Sequence, residues 1–427
     1  MFIAYSVLAG GIFLLCLPYV LIRMASTHRF RIGLAERFGL YGDLTSILRS
    51  SRSIWVQAAS VGEVSAVLPL IRLLRETFPE DRIVVTCQTA TGRQAVREKL
   101  AGIAVGVLCP LDFPPLIRRF IRLTSPRLLI LIETELWPGL ILTCGRNRVP
   151  VAVVSGRLSR RSFRVYRRFS FLLRPVLERI AQFNLRTEED ARRIKRLGAS
   201  PERVRVLGNI KFDSLPAAAI DREREQELKE RIGWSPGEVL LIGGSTFEGE
   251  EEILIRVYQG LKSRFPGLRL LLAPRHLERV KAVEAILAAS AEEYRLYSAA
   301  CPAGEKRVIV LDSMGLLFSL YALASAVFIG RSLRGTGGQN PIEPAVWGAP
   351  LLFGPHMENF RDIARALIDG GGAVRVADEA ALSAALADLL ADSNRRRAMG
   401  EKARAVVEAR RGATKRNLES LRELILR

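Results

Sequence analysis

Metal ligands and disulfide partners are scarce in this chain. Its 427 residues contain 5 cysteines and 3 histidines. Cys16, Cys87, Cys109, Cys144 and Cys301 are scattered, with no pair at metal-ligand spacing. That excludes a zinc module and a disulfide framework, and it fits a reducing compartment. His28, His276 and His356 are too few for a histidine-rich metal centre, so no metal is expected. A Walker loop and a GxGxxG fingerprint are also missing, which argues against a P-loop NTPase and a nicotinamide enzyme. Acidic residues are outnumbered: 64 Lys and Arg stand against 44 Asp and Glu, a formal charge of +20. The surplus implies an anionic partner, with nucleic acid, an acidic membrane surface and a phosphorylated substrate as candidates. No nucleic-acid motif or aromatic-rich basic platform accompanies it, so nucleic acid is the weakest of the three.

Apolar residues are plentiful. They make up 49% of the chain, with 25% charged, which is a globular composition. The length suits two domains with appendages. Phe2 to Ile22 carries no charged side chain and is long enough to cross a hydrocarbon core. No Lys or Arg precedes this run, while Arg23, Arg29 and Arg31 follow it. A retained anchor over 1–24 is therefore expected rather than a cleaved signal peptide, with the residues after it in the cytoplasm. A buried core helix is the alternative.

Beyond a basic connector, apolar strands alternate with helical patterns, the mark of a parallel sheet with crossover helices. Ile54 to Ala58, Ile83 to Thr86, Leu128 to Ile132, Val151 to Val154 and Val204 to Leu207 form the first set. Val239 to Ile242, Leu268 to Leu272, Val308 to Leu311, Ala326 to Ile329 and Leu351 to Phe353 form the second. The expected division is a Rossmann-like domain over 25–212, a linker over 213–236, a second Rossmann-like domain over 237–392, and a helical segment over 393–427. Two doubly wound domains would face each other across a cleft. The last segment packs either outside the second sheet or back on the first.

The most informative stretch runs from Trp55 to Glu63, an apolar strand ending in a loop with Ser60 and Gly62 that delivers a carboxylate to a helix start. In an open α/β sheet, ligands bind at the carboxyl ends of strands. Glu63 is therefore either a reacting group or an acid that complements the helix dipole. The loop from Gly330 to Pro344 also follows a strand, and its glycines allow backbone to approach a ligand. Asn340 can cap a helix opened by Pro341, and such a helix start suits a phosphate. Glu343, one turn in, could bond ribose hydroxyls. Glu133 and Glu135 have the look of a glycosidase pair, but Trp137-Pro138 signals a turn there, so the segment reads as cleft wall with Glu135 a candidate ligand. In a helix opening near Arg160, Arg160, Arg164, Arg167 and Arg168 fall on one side, with Phe163, Tyr166 and Phe169 across the other. That basic face is either solvated or aimed at lipid phosphate.

Taken together, Ala58 to Glu63, Glu133 to Pro138, Arg157-Leu158-Ser159, Gly208 to Asp213, Ala273 to His276, Asp312 to Gly315 and Asn340 to Pro344 stand in an order that resembles the 3-deoxy-D-manno-octulosonic acid (Kdo) transferases. The resemblance spans nearly the whole chain. It implies a GT-B glycosyltransferase of lipopolysaccharide assembly, anchored in the inner membrane with its catalytic domains on the cytoplasmic side. It also implies transfer of Kdo from CMP-Kdo to a lipid A precursor, with inversion and without metal or cofactor. Glu63 would be the general base, with Ser60, Gly62, Glu135 and Arg157 beside the acceptor. Arg275, Asp312, Ser313, Met314, Gly315, Asn340 and Glu343 would hold the donor.

The donor half departs from the family pattern. Phe247 stands for a usual histidine, Leu316 for a usual acid, Gln339 for a second histidine and Arg331 for a usual glycine. A GT-B enzyme using another nucleotide sugar on a membrane lipid is the alternative these departures raise. A membrane-tethered polyanion binder is a remote one.

Overall fold

The computed structural model describes residues 33–49, 52–215, 219–299 and 306–426. The expected anchor lies outside them. Among the described residues, no helix is long and apolar enough to cross a membrane.

The apolar runs become strands. β1 (Ser53–Gln57), β2 (Arg82–Cys87), β3 (Ala104–Leu108), β4 (Pro126–Ile132), β5 (Val151–Gly156), β6 (Gln182–Leu185) and β7 (Val204–Val206) form one sheet in the order β3-β2-β1-β4-β5-β6-β7. Every neighbouring pair in it is parallel. The order reverses between β1 and β4, so the crevice at their carboxyl ends is the topological switch point. Because side chains alternate along a strand, Ile54 and Val56 enter one core while Trp55 enters the other. Helices Val61–Thr77 and Ala90–Lys99 cover the first face. Helices Pro114–Thr124, Pro138–Arg146 and Glu188–Arg196 cover the second. The Val61–Thr77 helix buries Val64, Val67, Leu70, Ile71 and Leu74, a stripe at helical spacing.

A second parallel sheet contains β8 (Val239–Thr246), β9 (Leu268–Pro274), β10 (Tyr294–Leu296), β11 (Val308–Val310), β12 (Ala326–Ile329), β13 (Leu351–Phe353) and β14 (Ala373–Arg375). Its order is β10-β11-β9-β8-β12-β13-β14, with the reversal between β8 and β12. Leu241, Leu270, Leu272, Val310 and Phe328 pack there against Ile253, Leu254, Val257, Val283 and Leu386 from its helices.

The two compact units are not contiguous in sequence. One runs to Ser214 and takes up Arg410–Arg427, while the other is Leu215–Ala409. The C-terminal segment, expected as one piece, is thus divided. Helix Ser393–Glu408 stays with the second unit, and helix Ala413–Ile425 places Ala413, Leu421 and Ile425 in the core of the first. Asp213 fixes the return by accepting from the Gly412 and Thr414 N–H groups at 2.7 and 2.6 Å.

Candidate active site

Ser60 caps the Val61–Thr77 helix, its Oγ accepting from the Glu63 N–H at 3.5 Å. Glu63 reaches back, with Oε2 accepting from the Ala59 N–H at 2.6 Å and Oε1 from the Ser60 hydroxyl at 3.4 Å. The pair resembles a capping box with the acid bonded one residue further out, to Ala59 rather than to the cap residue, so the helix-start role of Glu63 is real. The carboxylate is nonetheless far from ordinary. Burial, followed by the charges of Glu133 and Glu135, raises its pKa from 4.5 to about 7, against the opposing Ala59 hydrogen bond and Lys211. A group poised there can accept a proton near neutral pH.

The neighbouring strand ends complete the site. After β4 the chain turns sharply, with Glu133 in the left-handed region at φ 60°. Glu133 is gripped by Arg186 Nη2 at 2.5 Å and Lys211 Nζ at 3.0 Å. Despite burial, these cations with Arg157 hold its carboxyl down at about 2. A carboxylate so paired neither gives nor takes a proton near neutrality, so Glu133 is not the acid of a glycosidase pair. Glu135 accepts from the Trp137 indole at 2.7 Å. Thr134 Oγ accepts from the Arg157 N–H at 2.8 Å, tying the end of β4 to the end of β5. Arg186 itself donates to Ser155 O at 2.9 Å and to Ser155 Oγ at 3.1 Å. Ser60, Gly62, Glu63, Glu135 and Arg157 therefore share one edge of the first sheet. Arg186 and Lys211 were not singled out from the sequence. Lys211 had a signal in the Gly208–Asp213 motif; Arg186, a lone arginine after a short strand, had none.

In the second unit, the loop after β12 differs from expectation. Helix Ile342–Val346 is only 5 residues, too short for an appreciable macrodipole. The N-cap is Pro341 rather than the expected Asn340, whose Oδ1 accepts from the Ile342 N–H at 3.1 Å just ahead of it. The loop's backbone donors are largely spoken for. Buried Glu250 accepts from the N–H groups of Arg331, Ser332, Leu333 and Arg334 at 2.6, 2.9, 3.0 and 3.3 Å. Glu358 accepts from the Gly337 N–H at 2.7 Å. Glu250, the first residue of helix Glu250–Lys262, thus straps the Gly-rich loop to the end of β8.

Glu343 is held by the Asn340 amide at 3.1 Å, and burial raises its pKa against that bond and the Arg275 charge. Arg275 is exposed and, among the described residues, makes no ion pair. Asp312 caps no helix; it accepts from the Ser298 N–H at 3.0 Å and from the Ser298 hydroxyl. Ser313 and Leu316 line a cavity of about 580 Å³ with Arg224, Arg231, Tyr297 and Ser298. Met314 is exposed, and Gly315 adopts φ 86°. Arg275, Asn340 and Glu343 cluster at the switch point; Asp312 to Gly315 lie at the end of β11, nearer the sheet edge. Two of the departures from the family pattern meet, with the Arg331 guanidinium 5.1 Å from the Phe247 ring centroid.

On the Arg160–Arg168 helix, Phe163 and Tyr166 pack on the first core. Phe169, expected with them, is exposed instead, at the break between this helix and the next, which begins at Ser170; Val165, Phe171 and Leu172 are exposed as well.

Two seven-stranded parallel sheets, each with its polar residues at the carboxyl edge, define an α/β two-domain glycosyltransferase fold. The fold is shared with a Rickettsia africae glycosyltransferase (TM-score 0.60, 10% identity, covering 88% of this chain and 99% of that one). It is also shared with the UDP-GlcNAc 2-epimerase of Neisseria meningitidis bound to UDP-GlcNAc (TM-score 0.59, 12% identity, 87% and 100%). Residues 33–214 match the 3-deoxy-D-manno-octulosonic-acid transferase (kdotransferase) family. The 3-deoxy-D-manno-octulosonic acid transferase of Haemophilus influenzae is 33% identical over 98% of both chains. Its counterpart from Bordetella pertussis is 36% identical over 87% of both. The chain belongs to the Kdo transferase family and is a glycosyltransferase enzyme.

Proposed function

We propose that this enzyme transfers Kdo from CMP-Kdo to a lipid A precursor such as lipid IVA, with inversion and without a metal. Glu63 takes the proton of an acceptor sugar hydroxyl as that oxygen attacks the anomeric carbon of Kdo, and CMP departs from the opposite face. Ser60 and Gly62 shape the turn that presents Glu63, while Glu135 and Arg157 contact the acceptor. On the donor, Arg275 meets the phosphate charge that grows as CMP leaves. Asp312, Ser313, Met314 and Gly315 hold the cytidine, and Glu343 with Asn340 holds the ribose. The observation that carries the reading is the part-buried Glu63 carboxylate with its pKa near 7, at the switch-point end of β1.

The acceptor being a membrane lipid, the enzyme works at the cytoplasmic face of the inner membrane, anchored by residues 1–24. Support comes from exposed Phe169, Phe171 and Leu172 beside the arginine-rich Arg160–Arg168 helix, a surface suited to an anionic interface. The test is transfer by purified protein from CMP-Kdo to lipid IVA, with products resolved by mass. Wild type should add Kdo and Glu63→Gln should not. Equal rates for the two would refute the assignment of the base.

A further inference from the structure

We infer that Arg331 is a donor-binding residue, held in place by Phe247 to receive an anionic oxygen group of the sugar nucleotide. The inference rests on the donor reading above. Its first support is the state of the Gly-rich loop: the N–H groups of residues 331–334 are taken by Glu250 and that of Gly337 by Glu358. Those amides are therefore committed within the protein, which raises the share of any charge at this end of β12 that side chains meet.

Cations stand at these strand ends. Arg275 follows β9, Arg331 follows β12, and among the described residues neither is in an ion pair with a carboxylate. Arg331 is also ordered. Its guanidinium lies 5.1 Å from the Phe247 ring centroid, and that ring meets His276, the neighbour of Arg275, edge-on at 5.6 Å. Stacking on an aromatic face fixes a long side chain while leaving its in-plane N–H donors open, which lowers the entropy lost on binding.

The backbone adds an independent observation. Arg331 sits at φ 57°, a conformation that glycine adopts freely and a long side chain does not. Strain of this kind gathers at ligand-binding positions. Here it aims a cation at the crevice where β8 and β12 diverge.

The strain also supplies the test. Arg331→Gly relaxes the backbone, so the variant should melt at or above the wild-type temperature. If the inference holds, KM for CMP-Kdo rises about 10-fold or more, as expected for a lost charge-assisted hydrogen bond, with kcat changing much less. Arg331→Lys should recover part of the loss. Phe247→Leu should raise KM by a smaller factor and add nothing in the Arg331→Gly background. CMP affinity identifies the group bound: a parallel fall assigns the phosphate, whereas unchanged CMP affinity with a raised KM assigns the sugar carboxylate. KM and CMP affinity both within twofold of wild type in Arg331→Gly and Arg331→Ala would overturn the inference. A wild-type protein that neither binds CMP nor consumes CMP-Kdo would overturn the donor reading before any substitution is made, and this inference with it.

Discussion

Replacing Glu63 by glutamine should stabilise the protein at alkaline pH while abolishing transfer. The Glu63 carboxyl has a pKa of about 7 in the folded chain against an ordinary 4.5. Below pH 4.5 it is protonated folded or unfolded and contributes nothing to the difference. Between 4.5 and 7 the unfolded chain ionises while the folded chain keeps its proton, so stability falls as pH rises. Above pH 7 the loss is complete, at about 3.5 kcal/mol for about 1.4 kcal/mol per pKa unit. Glutamine cannot ionise, and its carbonyl can still accept from the Ala59 N–H, which Oε2 now holds at 2.6 Å. A weaker helix cap takes back about 0.5–1 kcal/mol, leaving Glu63→Gln ahead by about 2.5–3 kcal/mol at pH 8 and level or slightly behind at pH 5. Urea unfolding of both proteins at the two pH values measures this directly. Transfer should fall at least about 100-fold, the low end of general base contributions. A stability difference independent of pH, or a variant less stable at pH 8 that still transfers Kdo, would show Glu63 to be a helix cap and nothing more.

Three further outcomes follow from the packing. Glu133→Gln removes a charge that raises the Glu63 pKa, and Lys211→Met removes one that lowers it; the acid limb of the kcat/KM profile against pH should move down in the first and up in the second. Glu250→Ala leaves the N–H groups of 331–334 without their acceptor. The second unit should lose about 4 kcal/mol or more at about 1–3 kcal/mol per unsatisfied group, read by unfolding together with faster proteolysis in 331–340 and weaker CMP binding. Truncation after Ala409 strips Leu421 and Ile425 from the first core; at about 1.5–3 kcal/mol for each buried side chain, about 3–6 kcal/mol is lost, and the shortened chain should aggregate or be rapidly degraded.

Strands whose apolar runs are bounded by polar turns, such as Leu128 to Ile132 and Leu351 to Phe353, were legible from composition and spacing alone. β3, β6, β10 and β14 were not. Ala104–Leu108 is broken by Gly106, while Tyr294–Leu296 and Ala373–Arg375 are three residues long and carry arginine, so only a neighbouring strand makes them strands. Gln182–Leu185 pairs with β5 and β7, and its polar Gln182 and Asn184 are buried through bonds to each other and to Ser420, 236 positions further on than Asn184.

The same division holds at the site. The sequence by itself determined that Glu63 follows a strand and opens a helix, that Asn340 stands just before a helix start, and that Asp312 follows a strand, because each of these depends on a few adjacent residues. Tertiary structure alone decided that β1 lies beside β4, which sets Glu63 near a carboxylate that Arg186 and Lys211 keep charged. It also decided that Glu250 takes up the amides of the loop after β12, and that Phe247 and Arg331, 84 positions apart in the numbering, come into contact. Strand ends are local signals, whereas the order of strands in a sheet is set by how its two faces bury their helices. The pKa of Glu63 is fixed by burial and by charges from other strands, so it exists only once that packing is complete.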